Sequence, residues 1–161
     1  MTDAGDMIYL DYAASTPVDP QVADLIADLL KSAGEHGNPS STHRLGRRAT
    51  AHIARAAAQL GALLNVDPAR LTWTSGATES DNLAIIGVAR QRHHRGRHLI
   101  TMRTEHKAVT DAFKRLEREG FEVTWLDPAR DGRLDPDVLE GALRADTQLV
   151  SVMHVNNETG G

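Results

Sequence analysis

The first third of the chain carries the apolar periodicity of two amphipathic helices. Asp19–Pro20 supplies a cap and a first-turn proline for a helix that is predicted to end at Gly34. A turn-rich loop over residues 37–41 follows, and a second, alanine-rich helix is predicted to run to about residue 64. Residues 8–10 are predicted to form a short extended piece before both helices. The apolar positions on one face are Val22, Leu25, Ile26, Leu29 and Leu30 in the first helix, and a predicted buried stripe of Leu45, Ala49, Ile53, Leu60 and Leu64 in the second.

Beyond residue 70 the pattern changes to strands that alternate with helices. The predicted strands are residues 71–74, 98–102, 121–126 and 149–155, with predicted helices between them at residues 83–89, 108–119 and 138–144. Each connection is long enough for a parallel crossover, so the predicted fold class is α/β, with a mostly parallel sheet and flanking helices. We divide the chain into an N-terminal extended and helical segment, residues 1–66, and the first part of a larger domain, residues 67–161.

The last predicted strand lies close to the end of the chain. Residues 148–153 read as an inner strand that is buried on both faces, yet the sequence ends soon afterwards at Gly161 without a covering helix. We therefore expect an incomplete domain that has been cut from a longer one.

Composition narrows the classes of function. The chain has 161 residues, of which 18 are basic and 22 acidic, and its net charge of -4 gives no reason to expect a nucleic acid or a membrane as partner. It has no cysteine, which excludes a disulfide framework, a thiolate metal site and a thiol nucleophile from these residues. No signal peptide or membrane-spanning run is predicted, so we expect a cytoplasmic location.

The segment after the first predicted strand is a candidate anion site. In open α/β sheets, ligands bind outside the carboxyl ends of the strands. Residues 74–80 combine a glycine with small residues and lead into a helix, whose free amides, together with the Thr78 hydroxyl, would bind a phosphate. A capping pair of Thr78 with Asp81 explains the same residues equally well. The nucleotide-binding glycine patterns are absent.

Two further polar segments follow predicted strands. His106, in the segment 104–107, could stack on a planar cofactor and move protons, although a solvated histidine beside a capping threonine is the commoner case. The segment 154–158 contains two asparagines that could bind a ligand or form an ordinary turn. The basic, histidine-rich stretch 90–98 is interpreted as a solvated connector at the opposite end of the sheet. No metal-binding spacing is found, so no metal site is predicted.

Taken together, these segments resemble the cysteine desulfurases of the class V aminotransferase-like group, which have the large-domain fold of type I pyridoxal-phosphate enzymes. The matching segments occur in the family's order and are residues 9–17 (YLDYAASTP), 37–41 (GNPSS), 74–82 (TSGATESDN), 104–109 (TEHKAV) and 153–158 (MHVNNE). They cover nearly the whole chain. Residues 67–161 would then be the first part of the domain that binds pyridoxal 5'-phosphate.

The resemblance implies a role for each candidate residue. By matching position, Ala77 and Thr78 would hold the cofactor phosphate, His106 would stack on the pyridine ring and assist proton transfer, and Asn157 would hydrogen-bond near the ring oxygen. We expect Thr78, His106 and Asn157 to converge on one edge of the sheet. The family transfers sulfur from L-cysteine and releases alanine, generally as a dimer, and the sulfur goes to an acceptor or scaffold protein for iron–sulfur cluster or thio-cofactor assembly.

The sequence also departs from the family. The aspartate that pairs with the pyridine nitrogen, the lysine that bonds to the cofactor and the acceptor cysteine lie further along the family's chain, and none has a counterpart among these residues. The isolated chain is therefore expected to be inactive. Two alternatives stay open: a truncated, non-catalytic homologue that acts through dimerisation, and the N-terminal part of a selenocysteine lyase-like enzyme.

Overall fold

The structure is a computed structural model that describes residues 8–32 and 34–161. It consists of two compact units, Met1–Trp73 and Thr74–Gly161. The division falls close to the boundary at 66/67 drawn from the sequence, and that boundary stays a prediction.

The first unit contains two helices whose starts follow from their capping residues. Helix α1 spans Pro20–Lys31, and the Asp19 side chain caps it by accepting a hydrogen bond from the amide of Gln21 at 2.8 Å. Helix α2 spans Arg44–Leu64 and ends at Asn65, which adopts the left-handed conformation with φ 53°. A short 3₁₀ turn, Pro68–Arg70, follows. Both predicted helices are confirmed, although α1 ends before Gly34.

The stripe of α2 that was predicted to be buried is only partly so, and the apolar face of α1 is largely exposed as well. Leu25 is 56% exposed, Ile53 is 42% exposed and Leu64 is 55% exposed. An amphipathic pattern predicts a helix but does not supply the surface that covers its apolar face. Two helices and one 3₁₀ turn provide too little partner surface within this unit.

The second unit is an α/β fold with a wholly parallel sheet, as predicted. Its elements are α3 (Ala77–Arg92), β1 (His98–Met102), α4 (Lys107–Arg118), β2 (Glu122–Leu126), α5 (Pro136–Ala142) and β3 (Thr147–Ser151). The strand order is β2-β1-β3, so β1 lies in the centre and both neighbours are parallel to it.

Two predicted extended segments do not form strands. Residues 71–74 lie outside the three-stranded sheet, and residues 8–10 are likewise unpaired. A strand is stable only when a neighbour pairs with its amides and carbonyls, and the part of the chain that the structure describes offers no such neighbour to either segment. The last strand also ends at Ser151, four residues before its predicted end, because the chain turns into a loop there.

Side chains that alternate along β1 build a core on each face of the sheet. Leu99 packs among residues of α3 and α4, whereas Ile100 and Met102 face α5. The first cluster consists of Ile85, Ala89, Leu99, Val109, Ala112, Phe113, Leu116 and Phe121, and the second of Ile100, Met102 and Leu126, with Leu134, Leu139 and Ala142 against it. The pairing of β1 with β3 places the carboxyl ends of these two strands side by side.

His98 is a buried exception to the solvated connector predicted for residues 90–98. It begins β1 at the amino edge of the sheet and is fully buried. Its Nδ1 lies 2.7 Å from the Thr147 hydroxyl and its Nε2 lies 2.8 Å from the Thr124 hydroxyl. Two neutral hydroxyl partners suit a neutral imidazole. Burial lowers the pKa of His98, and the positive charge of Arg144 lowers it further.

We expect His98 to make the folded state less stable in acid. Because its pKa is lowered on folding, the unfolded chain binds the proton first, so stability present above the ordinary histidine pKa of about 6.5 falls as pH drops. The loss approaches about 1.4 kcal/mol per pH unit while the folded imidazole stays neutral. The free energy of unfolding between pH 7.5 and pH 5 should fall less steeply in His98→Gln than in the parent chain. Equal slopes would contradict this role.

Candidate functional site

The start of α3 presents backbone amides without a protein partner. Gly76 is the N-cap and contributes no side chain, and no residue in the described ranges accepts a hydrogen bond from the amides of Ala77, Thr78 or Glu79. These amides lie at the positive end of the helix dipole. The sequence alternative of a capping pair between Thr78 and Asp81 is excluded, because Thr78 is the second residue of the helix and Gly76 occupies the cap.

The loop that leads into α3 is held by its own side chains. The Glu79 carboxylate accepts hydrogen bonds from the hydroxyl and the amide of Ser75, both at 2.7 Å, and these bonds lower the pKa of Glu79. The Thr74 hydroxyl lies 2.7 Å from the Ser80 hydroxyl. Glu79 therefore directs its charge towards Ser75, and the exposed amides and the exposed Thr78 remain accessible.

His106 lies at the start of α4, directly after the carboxyl end of β1. It is the N-cap of the helix, and its Nδ1 accepts a hydrogen bond from the amide of Ala108 at 3.1 Å. An Nδ1 that accepts cannot carry the proton, so the neutral ring carries it on Nε2. The side chain is exposed. The predicted capping threonine is wrong, because His106 itself caps the helix through one ring nitrogen, and its ligand-facing role stays a prediction.

The two asparagines after β3 have different surroundings. Asn156 is buried, and its side-chain oxygen accepts hydrogen bonds from the amides of Glu158 and Thr159, both at 2.9 Å, and from the Thr159 hydroxyl at 3.1 Å. Asn157 is exposed and donates to the Glu158 carboxylate at 3.0 Å. Asn156 thus organises the turn, and Asn157 is presented on its surface.

Two side-chain hydrogen bonds join the loop after β1 to the loop after β3. The Asn156 amide donates to the carbonyl of Thr104 at 2.9 Å, and the Glu105 carboxylate accepts from the backbone amide of Met153. Burial raises the pKa of Glu105, and the negative charge of Asp81 on α3 raises it too, whereas the bond from Met153 opposes the shift. The sequence assigned no role to Glu105 and did not distinguish Asn156 from Asn157, because adjacency along the chain does not reveal which side chain is buried.

The predicted site residues therefore occupy three polar segments of one unit. The loops that carry His106 and Asn157 leave the same edge of the sheet and are bonded to each other, and Thr78 lies on the helix that also carries Asp81. The structure records no direct contact among the side chains of Thr78, His106 and Asn157 within the described ranges, so their convergence on one ligand stays a prediction. All three, like Ala77, are exposed.

Over residues 8–32 and 34–161, no group of histidine, aspartate or glutamate side chains is arranged to hold a metal ion. No helix in the same ranges has the length and apolar character needed to cross a bilayer.

The comparison with family models defines the class of protein. Residues 8–161 match the family described as aminotransferase class-V, and the chain belongs to this family. The resemblance indicated by the motifs is thereby confirmed.

The curated relatives that resemble this chain share one name. The chain is 55% identical over 154 residues to a protein of Pseudomonas fluorescens Pf-5 named cysteine desulfurase IscS, and 54% identical over 154 residues to one of the same name from Azotobacter vinelandii. Each match covers 95% of this chain and 38% of the relative. The chain thus spans about two fifths of the length of these relatives.

Solved structures have the same fold. A structure described as a NifS-like protein superposes with a TM-score of 0.88 at 36% identity, covering 94% of this chain and 41% of that one. A structure described as SspA in complex with cysteine gives 0.86 at 38% identity, with coverages of 94% and 43%. DndA from Streptomyces lividans gives 0.81 at 44% identity, with coverages of 95% and 42%.

Proposed function

We propose that this chain forms the phosphate-, ring- and oxygen-binding part of the active site of a cysteine desulfurase that uses pyridoxal 5'-phosphate. Class V aminotransferases and cysteine desulfurases are pyridoxal-phosphate enzymes by family. The observation that carries the proposal is the start of α3, where three amides have no acceptor among the described residues, in a chain whose curated relatives are named cysteine desulfurases.

The donors at the start of α3 fit a phosphate ester. Backbone amides at a helix N-terminus, together with a hydroxyl in the first turn, bind a dianion through hydrogen bonds and the helix dipole. The amides of Ala77 and Thr78 and the Thr78 hydroxyl would bind the phosphate. Ser75 holds the Glu79 carboxylate by two hydrogen bonds, which engages the negative charge in the first turn of α3 with Ser75.

His106 and Asn157 would bind the ring. With its Nδ1 engaged by Ala108, the His106 imidazole is oriented by its own helix, so its face can stack on a planar ring while Nε2 donates a proton. The Asn157 amide, exposed on the turn that Asn156 organises, would donate to the ring oxygen. When bound, the cofactor withdraws electrons from the amino-acid substrate, which prepares the carbon–sulfur bond for cleavage.

The substrate and partners of the proposed enzyme follow from its family. L-cysteine is the substrate, which is supported by the related structure described as SspA in complex with cysteine. A homodimer, a protein that accepts the sulfur or scaffolds an iron–sulfur cluster, and a cytoplasmic location complete the proposal.

We expect Thr78→Val to weaken cofactor binding without unfolding the protein. The test uses a hybrid enzyme in which residues 8–161 replace the matching segment of the Pseudomonas fluorescens relative. Valine keeps the shape of threonine but removes one donor to the phosphate, a loss of about 1.5 to 3 kcal/mol for a charge-assisted bond, or roughly ten- to 150-fold in the dissociation constant.

Two variants control this measurement. Thr78→Ser keeps the hydroxyl and should restore most of the affinity, and Thr110→Val removes a hydroxyl from the first turn of the neighbouring helix α4, where it bonds to the carbonyl of Lys107. Equal dissociation constants for Thr78→Val and the parent hybrid would count against the phosphate site.

A further inference from the structure

Glu105 lies just beyond the point where the hydrogen-bonded pairing of the central strand β1 with the outer strand β3 ends. The hydrogen-bonded register of β1 and β3 ends at Thr101 and Ser151. Beyond that point, within the described ranges, no backbone–backbone hydrogen bond joins residues 103–106 to residues 152–157. Adjacent parallel strands that diverge into loops have no ladder to align them, so side chains must hold any fixed geometry between these loops.

The Glu105 carboxylate takes over part of the ladder's role. It accepts a hydrogen bond from the backbone amide of Met153, two residues past the end of β3. The amide of the buried Asn156 adds a second link to the carbonyl of Thr104. Both links join the same two loops, one of which carries His106 and the other Asn157.

This arrangement has a cost that a merely solvated glutamate would avoid. Glu105 is half-buried, and both its burial and the negative charge of Asp81 oppose ionisation of the carboxyl and so raise its pKa. The hydrogen bond from Met153 offsets that cost only while the two loops stay together. The ionised carboxylate is therefore more favourable when the two loops lie together than when they separate.

We infer that Glu105 is a positioning residue, whose carboxylate bonds to the Met153 amide and thereby holds the His106 loop against the Asn157 loop so that both side chains reach one ligand. The inference rests on the proposed function, because the ligand in question is the cofactor. Glu105 itself does not touch the cofactor in this assignment. A loop pair that is closed only part of the time lowers the apparent affinity for a ligand in proportion to its closed fraction.

The test compares Glu105→Ala with Glu105→Gln. Glutamine keeps an oxygen that can accept from Met153 but removes the charge, whereas alanine removes the acceptor. In the full chain, hydrogen exchange of the segment 152–158 should become faster in Glu105→Ala and stay close to the parent rate in Glu105→Gln. Glu140→Ala, which removes an exposed glutamate of α5, is the matched control and should change nothing.

The same variants in the hybrid enzyme report on the ligand. Glu105→Ala should raise the dissociation constant of pyridoxal phosphate about tenfold or more, and Glu105→Gln should stay within about threefold. The pH dependence of the bound cofactor's absorption should be the same in Glu105→Gln as in the parent, because the charge takes no part in the chemistry.

Distinct outcomes would overturn the inference and the proposed function. Equal losses in Glu105→Gln and Glu105→Ala would assign the effect to the charge and overturn the positioning role. Unchanged exchange in Glu105→Ala would show that the Met153 bond holds nothing, and would overturn it as well. A parent hybrid that binds no pyridoxal phosphate would instead refute the proposed function, and with it the ligand named here.

Discussion

Residues 1–161, purified alone, are expected to release no alanine from cysteine. The chain has no cysteine, so no thiol can accept the sulfur. Its three lysines all lie on helices, Lys31 on α1 and both Lys107 and Lys114 on α4. None matches the lysine that bonds to the cofactor in the family. The acidic partner of the pyridine nitrogen also has no counterpart here. Because these absences affect separate steps, restoring one of them would not restore turnover.

Borohydride reduction in the presence of pyridoxal phosphate tests this expectation. Mapping the adduct should find scattered, partial labelling of exposed lysines, and an alanine assay should give the rate of the uncatalysed reaction. The hybrid enzyme serves as the positive control for both measurements. Stoichiometric labelling of a single lysine together with alanine release would contradict the expectation.

Substitution by alanine is expected to lower the stability of the fold at Asn156 and the affinity for the cofactor at Asn157. Asn156→Ala removes the acceptor of two amides and one hydroxyl and the donor to Thr104. Leaving such groups unpaired in a buried turn should lower the free energy of unfolding by about 2 to 4 kcal/mol. Asn157→Ala removes one exposed bond and should change it by less than about 0.5 kcal/mol.

Urea unfolding of the full chain measures the free energy of unfolding of each variant. Titration of the hybrid enzyme with pyridoxal phosphate measures the affinity of each variant for the cofactor. Asn157→Ala should weaken binding of pyridoxal phosphate while unfolding at the parent's urea concentration. Comparable destabilisation by both substitutions would contradict the division between an organising and a ligand-facing asparagine.

Local chemistry made several features of this protein predictable from its sequence. Asp19–Pro20 and Asp135–Pro136 both start helices, because an aspartate cap and a first-turn proline act over only a few residues. The alternation of strands and helices after residue 70 predicted a parallel α/β sheet for the same reason: the length of each crossover is a property of the sequence. Five short motifs, read together, were enough to identify the family.

Features that depend on a partner distant in the sequence were not predictable in this way. Residues 71–74 have the composition of a strand, but strand formation requires a hydrogen-bonded neighbour, and the described residues provide none. The apolar stripe of α2 similarly predicts a buried face, but the stripe does not reveal which residues pack against that face. His98 looked like the end of a basic connector and is buried, because Thr124 and Thr147 approach it from the two outer strands.

The same distinction between local and distant interactions applies to the candidate site. The sequence by itself determined which polar residues stand before α3 and after β1 and β3, and the resemblance to the family supplied the predicted contacts to a phosphate, a ring and a ring oxygen. Only the tertiary structure decided that Asn156 is buried while Asn157 is exposed, and that Glu105 reaches the Met153 amide. These outcomes depend on how β1 and β3 lie side by side, since a side chain 48 residues away in the sequence becomes a neighbour only when the sheet forms.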